Sequence, residues 1–239
     1  MVIYNDYAII EESSSYIGII IDYLNIYLIT NLNHYKMKKA FAIVALIATM
    51  FVAGNVQAQT TIYATYSPET FVGHYTSDTK TDYQGFSVGF SQNLGLYKGI
   101  GVAVGAQFRM NMKNYEDNVL LGKVKDTQTL IDVPVLFNYK FDITRAVSVA
   151  PFVGPMLSFG LTGKTQITEN LLNTVHEYNW YGEDASTKRF NLYAVFGADV
   201  KFNNFNLFGG YRLGLLDIDT FKDTTMKTNG FFVGLGYTL

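Results

Sequence analysis

Five charged side chains stand at positions that a β-strand would turn away from its apolar face. They are Arg109, Asp132, Lys140, Asp199 and Arg212. Charges of this kind are tolerated in a protein interior only when they are paired and hydrogen-bonded. Arg109 and Asp132 form the best candidate pair, because they fall toward the same ends of neighbouring predicted strands. The five could line a polar channel or form a structural plug, and we favour the plug.

Acid-base chemistry has few candidates. His74 and His176 are the two histidines beyond residue 58, and Ser77 and Ser186 lie near them in the sequence. A hydrolytic site needs a base held against a nucleophile, and nothing in these spacings fixes that geometry. We therefore predict that the protein is not an enzyme. A lipase, protease or acyltransferase is the least favoured alternative.

The composition excludes several other kinds of site. There is no Cys, the formal net charge is −2, and basic residues form no run. Disulfides and thiolate metal sites are therefore excluded, and nucleic acid is not expected as a partner. The histidines and carboxylates lack metal-ligand spacing. We predict no cofactor and no metal.

The candidate charges are positioned by segments in which apolar residues recur at every second position. Alternation of this length is the period of a β-strand, and it suits strands that cross a bilayer at a tilt. The first segment is the least regular, because Pro68 and Glu69 interrupt it. The eight predicted strands cover residues 61–73, 83–91, 100–112, 129–141, 147–161, 189–201, 205–216 and 230–239.

The predicted connections alternate between short and long. The short ones are 93–99, 142–145 and 203–204, and the long ones are 76–82, 114–126, 162–188 and 217–228. This layout is typical of outer-membrane barrels whose termini lie in the periplasm. A two-residue turn at 203–204 would also pair Phe202 with Phe205 and Phe196 with Tyr211. That register keeps apolar residues together on one face.

The direction of the apolar face decides between two barrel types. A soluble lipocalin-like barrel would turn its apolar face inward and carry charge outside. Here the opposite face is mostly Gly, Ser, Ala and Asn, which is too little polar surface for a soluble protein. The interior of an eight-stranded barrel is just wide enough for side chains to fill. We therefore expect the apolar residues to face lipid.

The predicted loop at 162–188 carries the aromatic residues that could touch something outside the cell. His176, Tyr178, Trp180 and Tyr181 are the candidate contacts, and acidic residues surround them. Function concentrates in loops on rigid scaffolds, so a ligand or partner of unknown identity is one interpretation. The alternative, which we prefer, places these aromatics at the membrane boundary.

Two segments precede the predicted barrel domain at 59–239. Residues 37–58 have the features of a secretory signal peptide: Lys38 and Lys39, an apolar stretch at 40–53, and Val56-Gln57-Ala58 before the cleavage point. Residues 1–36 contain 9 Ile, whereas the whole of 59–239 contains 6. We interpret 1–36 as a mis-called upstream extension. A membrane anchor at 16–30 is the alternative.

Three stretches resemble a known family. Residues 131–141 (IDVPVLFNYKF), 151–155 (PFVGP) and 209–215 (GGYRLGL) are similar to strands of the PorT-like small outer-membrane β-barrel proteins of Bacteroides and relatives. The C-terminal residues 234–239 are similar to the strand signal read by the barrel-assembly machinery, with Leu239 in place of the usual Phe. The resemblance implies a surface or porin-like role and an outer-membrane lipid environment.

Together these observations predict an all-β protein, an eight-stranded antiparallel up-and-down transmembrane β-barrel of OmpA/OmpX-type size. The predicted function is a non-enzymatic envelope or surface role in the outer membrane, after export by the signal peptide. A small porin-like channel is the main alternative, and an outer-membrane enzyme is a weaker one.

Overall fold

The computed structural model describes residues 58–74, 78–117, 122–168, 174–181, 187–220 and 224–239, all within one compact unit at 56–239. The predicted upstream extension, the signal peptide before Ala58, and the serines Ser77 and Ser186 lie outside the described residues. Among the residues that are described, no helix has the length and apolar character needed to cross a membrane.

The described chain consists of β-strands. In chain order they are β1 (Ala58–Tyr66), β2 (Glu69–His74), β3 (Asp78–Tyr97), β4 (Ile100–Asp117), β5 (Gly122–Tyr139), β6 (Phe141–Asp142), β7 (Val147–Thr168), β8 (Val175–Asn179), β9 (Phe190–Phe202), β10 (Phe205–Gly214) and β11 (Thr225–Thr238).

The strands close into an antiparallel ring with eight positions. β1 and β2 occupy one position, because both pair with β3 on one side and with β11 on the other. They are the halves of a single strand that is interrupted at Ser67 and Pro68. β6 continues β5 along β7, while β8 folds back on the far end of β7. The predicted eight-stranded up-and-down barrel is confirmed.

The short connections all lie at one end of the barrel, which we call the turn end; the opposite end is the loop end. Asn203 has a positive φ of 53°, and Phe202 pairs with Phe205 across the turn, as predicted. Lys98 and Gly99 form a second two-residue turn, with φ of 43° and 87°. Positive φ at both central positions gives the twist that a tight hairpin requires.

The strands extend farther at the loop end than the sequence pattern indicated. β4 runs to Asp117 and β5 starts at Gly122, so most of the predicted loop 114–126 is paired strand. The predicted loop 162–188 likewise contains the end of β7 and all of β8. The alternation of apolar residues stops before these extensions, whereas backbone pairing continues. The predicted long polar loops are therefore shorter than expected in these two places, and also at 76–82, where β3 already begins at Asp78.

The apolar side chains of the central barrel face outward. Phe90, Phe137 and Phe196 are 45, 56 and 50% exposed. Inward positions of the same strands carry many small or polar residues, among them Ser87, whose side chain is buried. An exposed apolar surface that encircles the barrel needs lipid around it. The expected outward orientation is confirmed, and the lipocalin-like alternative is wrong.

Candidate functional site: the barrel interior

The middle of the barrel holds a group of buried polar side chains that come from seven different strands. We call it the interior network. Each member occupies an inward position of its strand, so the ring brings together residues far apart in the sequence. Its members are Glu69 (β2), Arg109 and Asn111 (β4), Asp132 (β5), Ser158 (β7), Tyr193 (β9), Arg212 (β10) and Thr228 (β11).

Arg109 is the centre of the interior network and is fully buried. Its Nε donates to Oδ2 of Asp132 at 2.8 Å, and its Nη2 donates to Oδ1 of the same carboxylate at 3.1 Å. This is the two-point geometry in which a guanidinium binds a carboxylate most strongly. Nη1 of Arg109 forms a second ion pair, with Glu69. The structure thus joins the two residues that were paired from the sequence.

Glu69 is the charged member that sequence reasoning missed. Its carboxylate accepts hydrogen bonds from Nδ2 of Asn111 at 2.5 Å and from the hydroxyl of Tyr193 at 2.6 Å, besides its pair with Arg109. In the sequence pattern, Pro68 and Glu69 indicate only an interruption of the first strand. The available signal was an acidic residue, directly after a proline, at an inward position of an interrupted strand.

Arg212 binds the strand interruption itself. Its Nη2 donates to the carbonyl oxygen of Ser67 at 2.7 Å, and its side chain is buried. The interior network therefore contains two arginines and two carboxylates, and its formal charges balance. That balance explains how four ionised groups share a low-dielectric interior.

Asp199 and Lys140 lie nearer the turn end than the interior network does. Oδ2 of Asp199 accepts from Nδ2 of Asn206 at 2.7 Å, and the residue is partly buried. Lys140 departs from the prediction, because it is exposed and pairs with Asp142 at 2.8 Å. Residue 140 falls between the end of β5 and the start of β6, so its side chain lies at the barrel rim and extends into solvent.

Aromatic side chains close the loop end of the interior. The ring centroids of Phe71 and Tyr83 lie 4.8 Å apart, and Trp180 packs against both rings. Ile218 packs with them, and we call these four residues the aromatic cap. Nε1 of Trp180 donates to Oγ1 of Thr165 at 2.8 Å. The cap lies over the interior network and excludes water from that end.

The four predicted loop contacts therefore divide into two pairs. Tyr181 is buried, and its hydroxyl accepts a hydrogen bond from Nε2 of Gln128 at 2.7 Å. Trp180 belongs to the aromatic cap, so neither residue is free for an outside partner. The sequence could not separate the two pairs, because it does not show that β8 ends at Asn179, just before Trp180 and Tyr181. His176 and Tyr178 are exposed on β8.

The hairpin of β7 and β8 is a structured surface. Val175 and Tyr178 are 60 and 58% exposed. Nζ of Lys164 contacts Oε1 of Glu177 at 2.6 Å across the two strands. Hydrogen bonds from Lys164 and Gln166 hold the pKa of Glu177 below its usual value. The carboxylate therefore stays ionised, and the pair is lost only as the pH falls through that lowered pKa.

Residues 85–89 (GFSVG) match the G-x-S-x-G pattern of serine hydrolases, a match that sequence reasoning overlooked. That motif needs a sharp turn between a strand and a helix, with the serine exposed. Ser87 instead lies in the middle of β3, is buried, and shares a hydrogen bond with Oγ1 of Thr65. The pattern here is a consequence of small residues alternating along an inward strand face.

The family assignment follows from the sequence once the fold is known. A family model described as an outer membrane protein β-barrel domain matches residues 34–220. The chain belongs to this family. In such barrels the short turns face the periplasm and the longer connections face outward. The protein is therefore located in the outer membrane, and the orientation expected from this rule places the turn end in the periplasm and the loop end outside the cell.

Solved structures of small outer-membrane barrels are also similar to this chain. Ail of Yersinia pestis shares 16% identity, with 76% of this chain and 99% of that chain covered and a TM-score of 0.40. Neisserial surface protein A shares 16% identity, with coverages of 74 and 97% and a TM-score of 0.39. The N-terminal barrel domain of Pseudomonas aeruginosa OprF shares 17%, with coverages of 77 and 100% and a TM-score of 0.27. No curated protein sequence matches the chain.

Proposed function

We propose that this protein is a non-enzymatic, non-conducting outer-membrane barrel that presents a folded β-hairpin at the cell surface. The observation that carries this proposal is the complete burial of Arg109 and Asp132, both 0% exposed, in the middle of the barrel. Charged groups that lined a water-filled channel would be wetted. A fully dry ion pair at this level instead supports a structural plug.

The porin-like alternative is tested by conductance. The purified barrel, reconstituted into a planar lipid bilayer, is expected to give no stepwise conductance above that of protein-free bilayers. A variant with a widened interior, Arg109→Ala combined with Tyr193→Ala, serves as a positive comparison. Regular open-channel steps from the wild-type protein would contradict the proposal and favour the small porin-like channel.

The surface role rests on β8. His176 and Tyr178 are the two predicted loop contacts that remain accessible, and they lie on a paired strand. A preorganised hairpin loses little conformational entropy when it binds, which suits a contact with an extracellular ligand or partner. We assign the contact role to this pair, while Trp180 and Tyr181 serve the interior.

Cysteine labelling in intact cells tests the orientation. The sequence has no Cys, so a single introduced thiol reports its own position. Tyr178→Cys on β8 is expected to react with a membrane-impermeant maleimide. Tyr97→Cys at the turn end, at a position 65% exposed, is expected to react only after the outer membrane is opened. Labelling of Tyr97→Cys alone in intact cells would mean the reverse orientation.

Export and assembly complete the proposal. Residues 37–58 would act as the signal peptide, so the N-terminal residue of the protein purified from outer membranes should be Gln59. The C-terminal strand β11 would present the signal read by the barrel-assembly machinery, and the PorT-like motifs support membership in that branch of the family. A mature protein that retains residues before Met37 would contradict the assigned signal peptide.

A further inference from the structure

A cavity of about 160 Å³ lies inside the barrel, between the interior network and the turn end. One wall is aromatic: Phe232 stands between Phe152 and Phe208, with ring centroids 6.3 and 6.4 Å away. The rings of Phe152 and Phe232 are nearly parallel, at 20°. This wall offers a flat, apolar surface, and Leu136, Met156 and Val195 belong to the same apolar cluster.

Two residues that line the same cavity each carry a buried polar atom without a hydrogen-bond partner among the described residues. Arg212 is 2% exposed, and its Nε has no hydrogen-bond partner among the described residues. Oδ1 of Asp199 is likewise buried without a partner there. A buried donor or acceptor that is left unsatisfied carries a desolvation cost. A molecule in the cavity that hydrogen-bonds to either group would remove part of that cost.

The size and charge of the cavity restrict the class of molecule. An engineered protein cavity of about 150 Å³ is large enough to hold benzene. Arg212 belongs to an interior network whose charges already balance. Asp199 and Lys201 add one charge of each sign to the lining, and Lys140 is paired with Asp142, so an added charge would find no unpaired counterion among the described residues. The best match is an uncharged single-ring aromatic compound that carries one hydrogen-bonding oxygen. A phenol has this chemistry.

The cavity is reached from the turn end. Lys140, which is exposed, and Lys201, which is partly exposed, line it there. The interior network and the aromatic cap block the other direction. A ligand would therefore enter and leave on the periplasmic side, and binding would require no conduction across the membrane.

We propose that the cavity is a binding site for small uncharged phenolic compounds. The ring would pack against Phe152 and Phe232, and the hydroxyl oxygen would accept a hydrogen bond from the guanidinium group of Arg212, which lines the cavity. This function is separate from the surface role of β8, so either could hold without the other.

Fluorine NMR of 4-fluorophenol, titrated against the folded barrel in detergent, tests the proposal. Saturable binding to the wild-type protein is expected. Ala103→Leu, which fills the cavity from β4, is expected to weaken binding at least tenfold. Ala106→Leu makes the same chemical change on the lipid-facing side of β4 and is expected to leave binding unchanged. Detergent partitioning is common to all three samples and cancels.

A second cavity-filling variant and two further ligands test the same site. If Ala103→Leu does not fold, Ala150→Leu fills the same cavity from β7. Fluorobenzene, which lacks the oxygen, and 4-fluorobenzoate, which adds a charge, are each expected to bind at least tenfold more weakly than 4-fluorophenol. A signal that never saturates, or equal binding by the wild-type and cavity-filled proteins, would overturn the site.

Discussion

Replacement of Arg109 by methionine is expected to lower the free energy of unfolding by about 3–5 kcal/mol, which is the usual cost of removing one partner from a buried ion pair. The loss is large because Arg109 neutralises two buried carboxylates, those of Asp132 and Glu69. Urea-induced unfolding in lipid vesicles, followed by the fluorescence of the single Trp180, measures it directly.

Two further sets of substitutions distinguish the cost of losing a buried ion pair from the cost of losing an exposed one. Lys140→Met breaks an exposed pair with Asp142 and is expected to cost about 0–1 kcal/mol. Glu69→Gln with Asp132→Asn, added to Arg109→Met, removes the unpaired charges and is expected to recover part of the loss. Equal destabilisation by Arg109→Met and Lys140→Met would show that the interior network contributes nothing special to stability.

The second large effect concerns the lipid-facing surface. Phe196 lies in the middle of β9 and Phe202 lies at its turn end, and they are similarly exposed, at 50 and 56%. Phe196→Arg places a charge near the bilayer midplane, so it is expected to cost about 2–4 kcal/mol in vesicles. Phe202→Arg makes the same chemical change at the interface, where about 0–1 kcal/mol is expected.

The contrast between these two variants depends on the hydrocarbon. Unfolding of both in vesicles, by the same urea titration, gives the difference. If Phe196→Arg were as stable as Phe202→Arg, then residue 196 would be in contact with water, and the membrane-spanning band would have to lie elsewhere. In a soluble barrel, both arginines would be harmless.

The strands could be predicted from the sequence because the alternation of side chains between the two faces of a strand is a local property. We call this alternation side-chain parity. One turn of known length, at 203–204, sets the register of β9 against β10, and a slip by one residue would mix the two faces. Arg109 and Asp132 could be placed together for the same reason, since they stand at inward positions of adjacent strands.

The rest of the interior depends on contacts that parity does not encode. Glu69 reaches Arg109 only because the first strand breaks at Pro68, and the sequence does not show where the chain resumes. Parity placed Lys140 inside, but the strand ends beside it, so the side chain extends into solvent. Trp180 and Tyr181 turn inward because β8 folds back onto β7, a pairing between polar segments that carries no apolar signal.

Closure of the barrel by β11 has a consequence for how the molecule is made. β1 and β2 receive their second neighbour only when β11 is in place, and the closing pair of Thr61 with Thr238 joins opposite ends of the barrel domain. Contacts so distant form late, because a long stretch of chain must first be ordered. Until synthesis is finished, two edges stay open to pairing with other chains. The protein should therefore depend on periplasmic chaperones through its whole transit, and any C-terminal truncation should leave it a substrate for proteases.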